Sequence, residues 1–175
     1  MILICLLAAA LLVAADQAVK LWTVAQFAAP VAPNIYGTAD APVDFIPGLV
    51  ELTRVHNYGA AWSSFSGMRY LLIALTSAVM VVLLVLLVKK IVRHPMGLVG
   101  LTLVLSGGIG NLIDRVRLGY VVDMLHLEFW PSYPVFNVAD MFIVVGVIVL
   151  LVYYLFLYDK VDSKQARLKN AHKEN

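Results

Sequence analysis

Long apolar runs alternate with short polar clusters along this chain. Four runs stand out: Ile2 to about Val19, Tyr70 to Val88, Met96 to Ile113, and Val138 to about Leu157. About 20 mostly apolar residues in helical form cross the roughly 30 Å of a bilayer's hydrocarbon, so each run predicts a transmembrane helix. The second and third runs contain no acidic or basic residue, whereas the first holds Asp16 near its far end and the fourth holds Asp140 in its first turn. Ionisable groups at membrane depth are costly enough to require a reason, which makes both acids early candidates for function.

The polar stretches between the runs differ from one another. In segment 21–69, Pro30, Pro33, Pro42 and Pro47 interrupt any long helix, while Val50 to Val55 alternates apolar with polar residues as a half-buried strand does. A small sheet is expected there. Segment 114–137 carries Tyr120, Phe129, Trp130 and Tyr133 together with Pro131 and Pro134. Amphipathic rings favour the headgroup level, so this segment reads as a loop at the membrane surface. The polar tail 159–175 reads as a frayed helix, and the whole chain as one integral membrane domain without internal repeats.

Composition agrees: 62% of the residues are hydrophobic and 14% charged, which does not fit a water-exposed surface. A removable signal peptide is disfavoured for the first run, because no Lys or Arg precedes it and Asp16, Gln17 and Lys20 continue its helical phase. Cys5 follows Ile4, not the small residue of a lipidation site, and reads as a packing residue. Lys89, Lys90 and Arg93 join spans two and three, and Lys160, Lys164, Arg167, Lys169 and Lys173 lie in the tail. By the positive-inside rule that face is cytoplasmic. Both termini are then cytoplasmic, and segments 21–69 and 114–137 lie outside.

Five polar groups abut the outer ends of the spans: Asp16 with Gln17 and Lys20; Asn57 to Ser63; Asn111 to Arg115; Asp123; and Asn137 to Asp140. Asp123 and Asp140 both sit among apolar neighbours, where an isolated carboxyl tends to keep its proton. Brought together they could share one, supplying a base to activate water and an acid to polarise a carbonyl and protonate the leaving amine. Taken singly, Asp140 reads as a helix N-terminal acid, Asp123 as a solvated loop residue and Asn137 as an N-cap. Asn111 and Arg115 share a helix face, with Arg115 free to pair with an acid, a lipid headgroup or a substrate carbonyl. Asp16 and Lys20, four apart, read as an intrahelical ion pair. Ser106, Gly107, Gly108 and Gly110 allow close helix packing. His56, His94, His126 and His172 lack metal-ligand spacing, and neither a nucleophile elbow nor a phosphate loop is present. A small proton relay or transporter, and a non-enzymatic anchor, are the competing classes.

Taken together, three stretches resemble the signature of the lipoprotein signal peptidase (signal peptidase II) family: Gly107 to Arg115, Gly119 to Asp123, and Phe136 to Asp140. Asp16-Gln17 with Lys20, and Asn57 with Gly59-Ala60-Ala61, are similar to its two upstream motifs. The resemblance implies an all-α membrane protein of four transmembrane helices, with a small extracytoplasmic β-sheet from Asp44 to Ser66 and a loop or short helix over the active site. It implies a bacterial inner-membrane aspartic endopeptidase with Asp123 and Asp140 as catalytic pair, cutting diacylglyceryl prolipoproteins immediately before the lipidated cysteine. Asn57, Gly59, Asn111, Arg115 and Asn137 would bind substrate, and Asp16 and Lys20 would be structural. Membrane lipids and the family's cyclic peptide inhibitor would be partners, with no cofactor, metal or nucleic acid. The chain departs from the family pattern at Met124, where an aromatic is common, and at Met141, where Ser is frequent, which bears on pocket shape.

Overall fold

The computed structural model describes residues 1–30, 42–60 and 64–158. Ala61 to Ser63 and the tail with its five basic residues lie outside the described residues. Seven elements follow in order: α1 (Ile2–Gln26), β1 (Val43–Ile46), β2 (Val50–Asn57), α2 (Arg69–Val88), α3 (Pro95–Arg117), β3 (Val121–Leu127) and α4 (Val138–Phe156). All four helices are long and apolar enough to cross a membrane.

α3 is the hub, packed against α1, α2 and α4, and most of it is buried. The other three turn Leu, Val and Ile side chains outward, such as Leu3, Val81 and Leu151. Apolar surface on that scale belongs against lipid chains. Glycines set the α3–α4 distance: a β-carbon at Gly146 would lie 2.9 Å from the Gly100 carbonyl oxygen, and one at Gly107 would run into the Ala139 carbonyl. α3 starts cleanly, with the His94 side chain accepting from the Met96 N–H and Pro95 in the first turn. Its far end is held by Arg69, whose guanidinium donates to the Arg115 and Val116 carbonyls, both at 2.8 Å. A cation there meets the negative end of the helix dipole.

Two helices outrun the apolar stretches that predict them. α1 continues to Gln26, because Asp16, Lys20 and Thr23 are buried inside the bundle and the Thr23 hydroxyl donates back to the Val19 carbonyl at 3.0 Å. Polar residues here mark an inward face, not the end of a span. α3 likewise continues through buried Asp114 to Arg117.

The sheet is antiparallel in the order β1-β2-β3. Its third strand comes from the segment read as a surface loop, so Asp123 is a strand residue with 1% exposure, not a solvated loop acid. Gly119, at φ +90, makes the reversal from α3 into β3 that an L side chain resists. β2 and β3 are in register over Val55↔Asp123 and Asn57↔Val121, after an irregularity between Leu52 and Val55. Directly opposed residues share a face, so Asn57 and Asp123 look the same way.

Candidate active site

At the end of the bundle beneath the sheet, a cavity of about 730 Å³ is lined by residues that include Asn57, Asn111, Arg115, Asp123, His126 and Asp140. That volume is in the range of small-molecule sites. Its floor, Thr76, Gly108, Ile143 and Val144, belongs to α2, α3 and α4.

Asp123 and Asp140 meet through asparagines. The Asn137 Nδ2 donates to Asp123 Oδ1 at 2.6 Å and to Asn111 Oδ1 at 3.1 Å. Asn111 Nδ2 in turn donates to Asp140 Oδ1 at 2.7 Å, and Asn57 Nδ2 to Asp123 Oδ2 at 3.0 Å. Asn137 and Asp140 also form a capping box on α4: the Asp140 N–H donates to Asn137 Oδ1 at 2.9 Å, and the Asn137 N–H to Asp140 Oδ2 at 3.1 Å. The N-cap reading of Asn137 and its contact with both acids therefore hold together in one side chain.

Burial, and then the neighbouring Asp140 carboxyl, push Asp123 up to about 8 from an ordinary 3.8, although bonds donated by Asn57 and Asn137 act the other way. Two carboxyls this close titrate as a pair, and burial favours the form of the pair that keeps a proton, the form a general acid needs.

The remaining polar residues form a second layer. Lys20 pairs with Asp16 and Asp114, each at 3.0 Å, and donates to Asn111 Oδ1 at 2.9 Å. Asp16 is more than a helical partner: its Oδ1 accepts the Ala139 N–H at 3.0 Å, serving the free N-terminus of α4. Asp114 accepts the Val122 N–H at 3.1 Å and the Gln17 amide at 3.0 Å, fastening β3 to α3 and α1. Arg115 holds a carbonyl of the chain itself, that of Gly59, at 2.8 Å, while the Gly59 N–H donates to Asn57 Oδ1 at 2.9 Å. Neither Gly59 nor the fully buried Asn137 lines the cavity wall. Met124 and Met141 do not line it either: Met124 is buried elsewhere and Met141 is exposed, so the two departures leave the cavity wall untouched.

His126 and the turn from Pro131 to Phe136 also form the wall, a contribution that spacing does not reveal. His126 Nδ1 lies 2.7 Å from Glu51 Oε1. Among the described residues, one group of carboxylates is close enough for a metal: Asp44, Glu51 and Glu128, on the sheet. Glu51 is engaged with His126 there, and Glu128 accepts from the Gly48 N–H.

The family model for signal peptidase (SPase) II matches residues 8–156. The chain belongs to the signal peptidase II family. It is an aspartic peptidase of that type and a multi-pass membrane protein. It is 47% identical over 124 residues to a lipoprotein signal peptidase of Enterococcus faecalis, covering 71% of this chain and 73% of that protein. A Streptococcus agalactiae protein of the same name is 42% identical over 142 residues, 81% of this chain and 85% of its own. Two solved bacterial membrane enzymes, determined by the in meso method, are similar in fold to this chain. One superposes with a TM-score of 0.73 at 27% identity over 89% of both chains, and the other with 0.71 at 27% identity over 87% of this chain and 93% of its own.

Proposed function

We propose that this signal peptidase II cleaves diacylglyceryl-modified prolipoproteins immediately before the lipidated cysteine, with water activated by Asp123 and Asp140. The observation that carries this reading is the buried Asn137 side chain, bonded at once to Asp123 and to the backbone of Asp140, two acids that line one cavity. In the proposed mechanism the pair carries one proton, held on Asp123. Asp140, in the first turn of α4, takes a proton from water as the water attacks the scissile carbonyl. Asp123 polarises the carbonyl oxygen, and the leaving amine is then protonated within the pair. No covalent intermediate is needed.

Asn57, Asn111 and Arg115, which line the cavity, orient the peptide bond, while Gly59 and Asn137 act from behind them by fixing Asn57, Arg115 and both acids. The apolar floor between α2 and α4 receives the signal helix and acyl chains. In this reading the enzyme lies in the bacterial inner membrane with both termini cytoplasmic and the sheet outside. The family's cyclic peptide inhibitor binds between the two aspartates.

Purified protein in detergent, free of metal and nucleotide, is expected to cut a diacylglyceryl prolipoprotein. Asp123→Asn and Asp140→Asn are each expected to lower kcat by at least about 10³-fold, on the scale of a lost general acid or base. Persistent cleavage by either variant, or proton flux in liposomes without proteolysis, overturns the reading.

A further inference from the structure

An asparagine that serves a catalytic acid must present the correct end of its amide, and three asparagines serve these two acids. Rotating the amide by half a turn exchanges a donor for an acceptor, so something must choose. For Asn57 a backbone group chooses: Oδ1 accepts the Gly59 N–H, which leaves Nδ2 for Asp123. For Asn137 the Asp140 N–H occupies Oδ1 and leaves Nδ2 for Asp123. Asn111 has no such backbone partner among its described bonds. Its Oδ1 accepts from the Lys20 ammonium at 2.9 Å and the Asn137 amide at 3.1 Å, and its Nδ2 is thereby turned to Asp140 at 2.7 Å.

We propose that Lys20 is a positioning residue for the peptidase reaction: its ammonium fixes the Asn111 carboxamide so that Asn111 donates to Asp140 and not away from it. The inference rests on the reading of Asp123 and Asp140 as the reacting pair. Lys20 has three donors and no acceptor, so an amide NH₂ cannot take the place that Asn111 Oδ1 holds beside it. Lys20 is itself anchored, 3% exposed and clamped by Asp16 and Asp114 at 3.0 Å each, and a buried clamped cation orients a neighbour more firmly than a free side chain does. Asn137 Nδ2 has two hydrogens and gives one to Asp123 and one to Asn111 Oδ1, so it favours the same amide orientation through a neutral bond at 3.1 Å. To this the Lys20 ammonium adds a shorter, charge-assisted bond at 2.9 Å. Without Lys20 the Asn111 amide is held by that neutral bond alone, and the donor that Asp140 receives from it is less firmly placed.

A buried Lys with two acids is also a structural ion cluster, and removing the cation alone strands two carboxylates. The experiment separates the two roles with a neutral cluster, Asp16→Asn/Lys20→Met/Asp114→Asn, in which every charge leaves together and both asparagines keep an acceptor for the Ala139 and Val122 N–H groups. Thermal melting in detergent and kcat, KM and the kcat–pH profile on a diacylglyceryl prolipoprotein are measured on each variant. A positioning role predicts that the neutral cluster melts close to wild type while kcat stays about 10- to 100-fold low, the scale of one hydrogen bond to a charged group. KM changes little, and the acidic limb of the kcat–pH profile moves to higher pH. Wild-type kcat and pH profile in a well-folded neutral cluster overturn the proposal.

Should the triple variant fail to fold, Lys20→Gln and Lys20→Met decide. They have equal charge, but Gln keeps an N–H donor for Asn111, so kcat is expected to be higher for Gln than for Met when each is corrected for folded protein. Equal kcat for the two overturns the proposal. Activity surviving in Asp123→Asn or Asp140→Asn instead sinks the reading of the acid pair, and does so without reference to Lys20.

Discussion

Asp123 and His56 shift in opposite directions, and the two shifts predict a measurable dependence of stability on pH. Asp123 is raised to about 8, so between an ordinary 3.8 and 8 the folded chain binds a proton that the unfolded chain releases. Stability from this group is complete at acid pH and is lost as pH rises through 8. Burial, and then Arg54 beside it, lower His56 from 6.5 to about 4, which leaves its ring neutral against Tyr120 at 3.8 Å between centroids. Its contribution is present above 6.5 and is lost as pH falls through 4. Between 6.5 and 8.5 only Asp123 titrates of the two, so the melting temperature in detergent is expected to fall over that interval, and Asp123→Asn to remove most of the fall. An unchanged slope in the variant contradicts the assignment. Asn57 donates to the charged form of Asp123, so Asn57→Ala is expected to move the alkaline limb of the kcat–pH profile upward. A downward move would give Asn57 another role.

Between α3 and α4, glycines decide how closely two elements approach, and so where the acids stand. A β-carbon at Gly107 meets the Ala139 backbone carbonyl, one residue from Asp140, whereas a β-carbon at Gly108 meets only the flexible Met80 side chain. Gly107→Ala is therefore expected to cost about 1–3 kcal/mol by overpacking and to lower kcat as well, because α4 carries Asn137 and Asp140 with it. Gly108→Ala is expected to melt within a few degrees of wild type; equal damage from both would mean that α4 yields without moving the acids. Much of this level is legible in the sequence. The four apolar runs predict four helices, and the glycine cluster marks their close packing. What the sequence conceals is pairing: Asp123 reads as a loop acid because strand β3 is set by its register against β2, which no local pattern encodes. Asp16 and Lys20 read as a private helical pair for the same reason, since their partners Ala139, Asp114 and Asn111 lie about 90 or more residues away.

Across the whole molecule, the sheet and both acids gather at one end of the bundle and the Lys89 to Arg93 turn at the other. α4 has 19 residues, which at 1.5 Å each span about 28 Å, nearly the full hydrocarbon thickness. Because Asp140 lies in the first turn of α4, it sits at a bilayer boundary and not at its centre. The positive-inside rule favours the cytoplasm for the exposed Lys89, Lys90 and Arg93, and the proposed function therefore puts the acids at the outer surface, where a lipid-anchored substrate would present the peptide bond next to its acyl chains. A cysteine at Phe45, exposed on β1, is then expected to react with a membrane-impermeant maleimide in intact spheroplasts, and a cysteine at Lys90 only after permeabilisation. Both are placed in a Cys5→Ser background, which removes the single native thiol. The reverse labelling pattern would put the acids on the cytoplasmic surface, where the enzyme could not meet a prolipoprotein whose modified cysteine lies in the outer leaflet, and the proposed substrate would have to be abandoned even if the acid pair were intact.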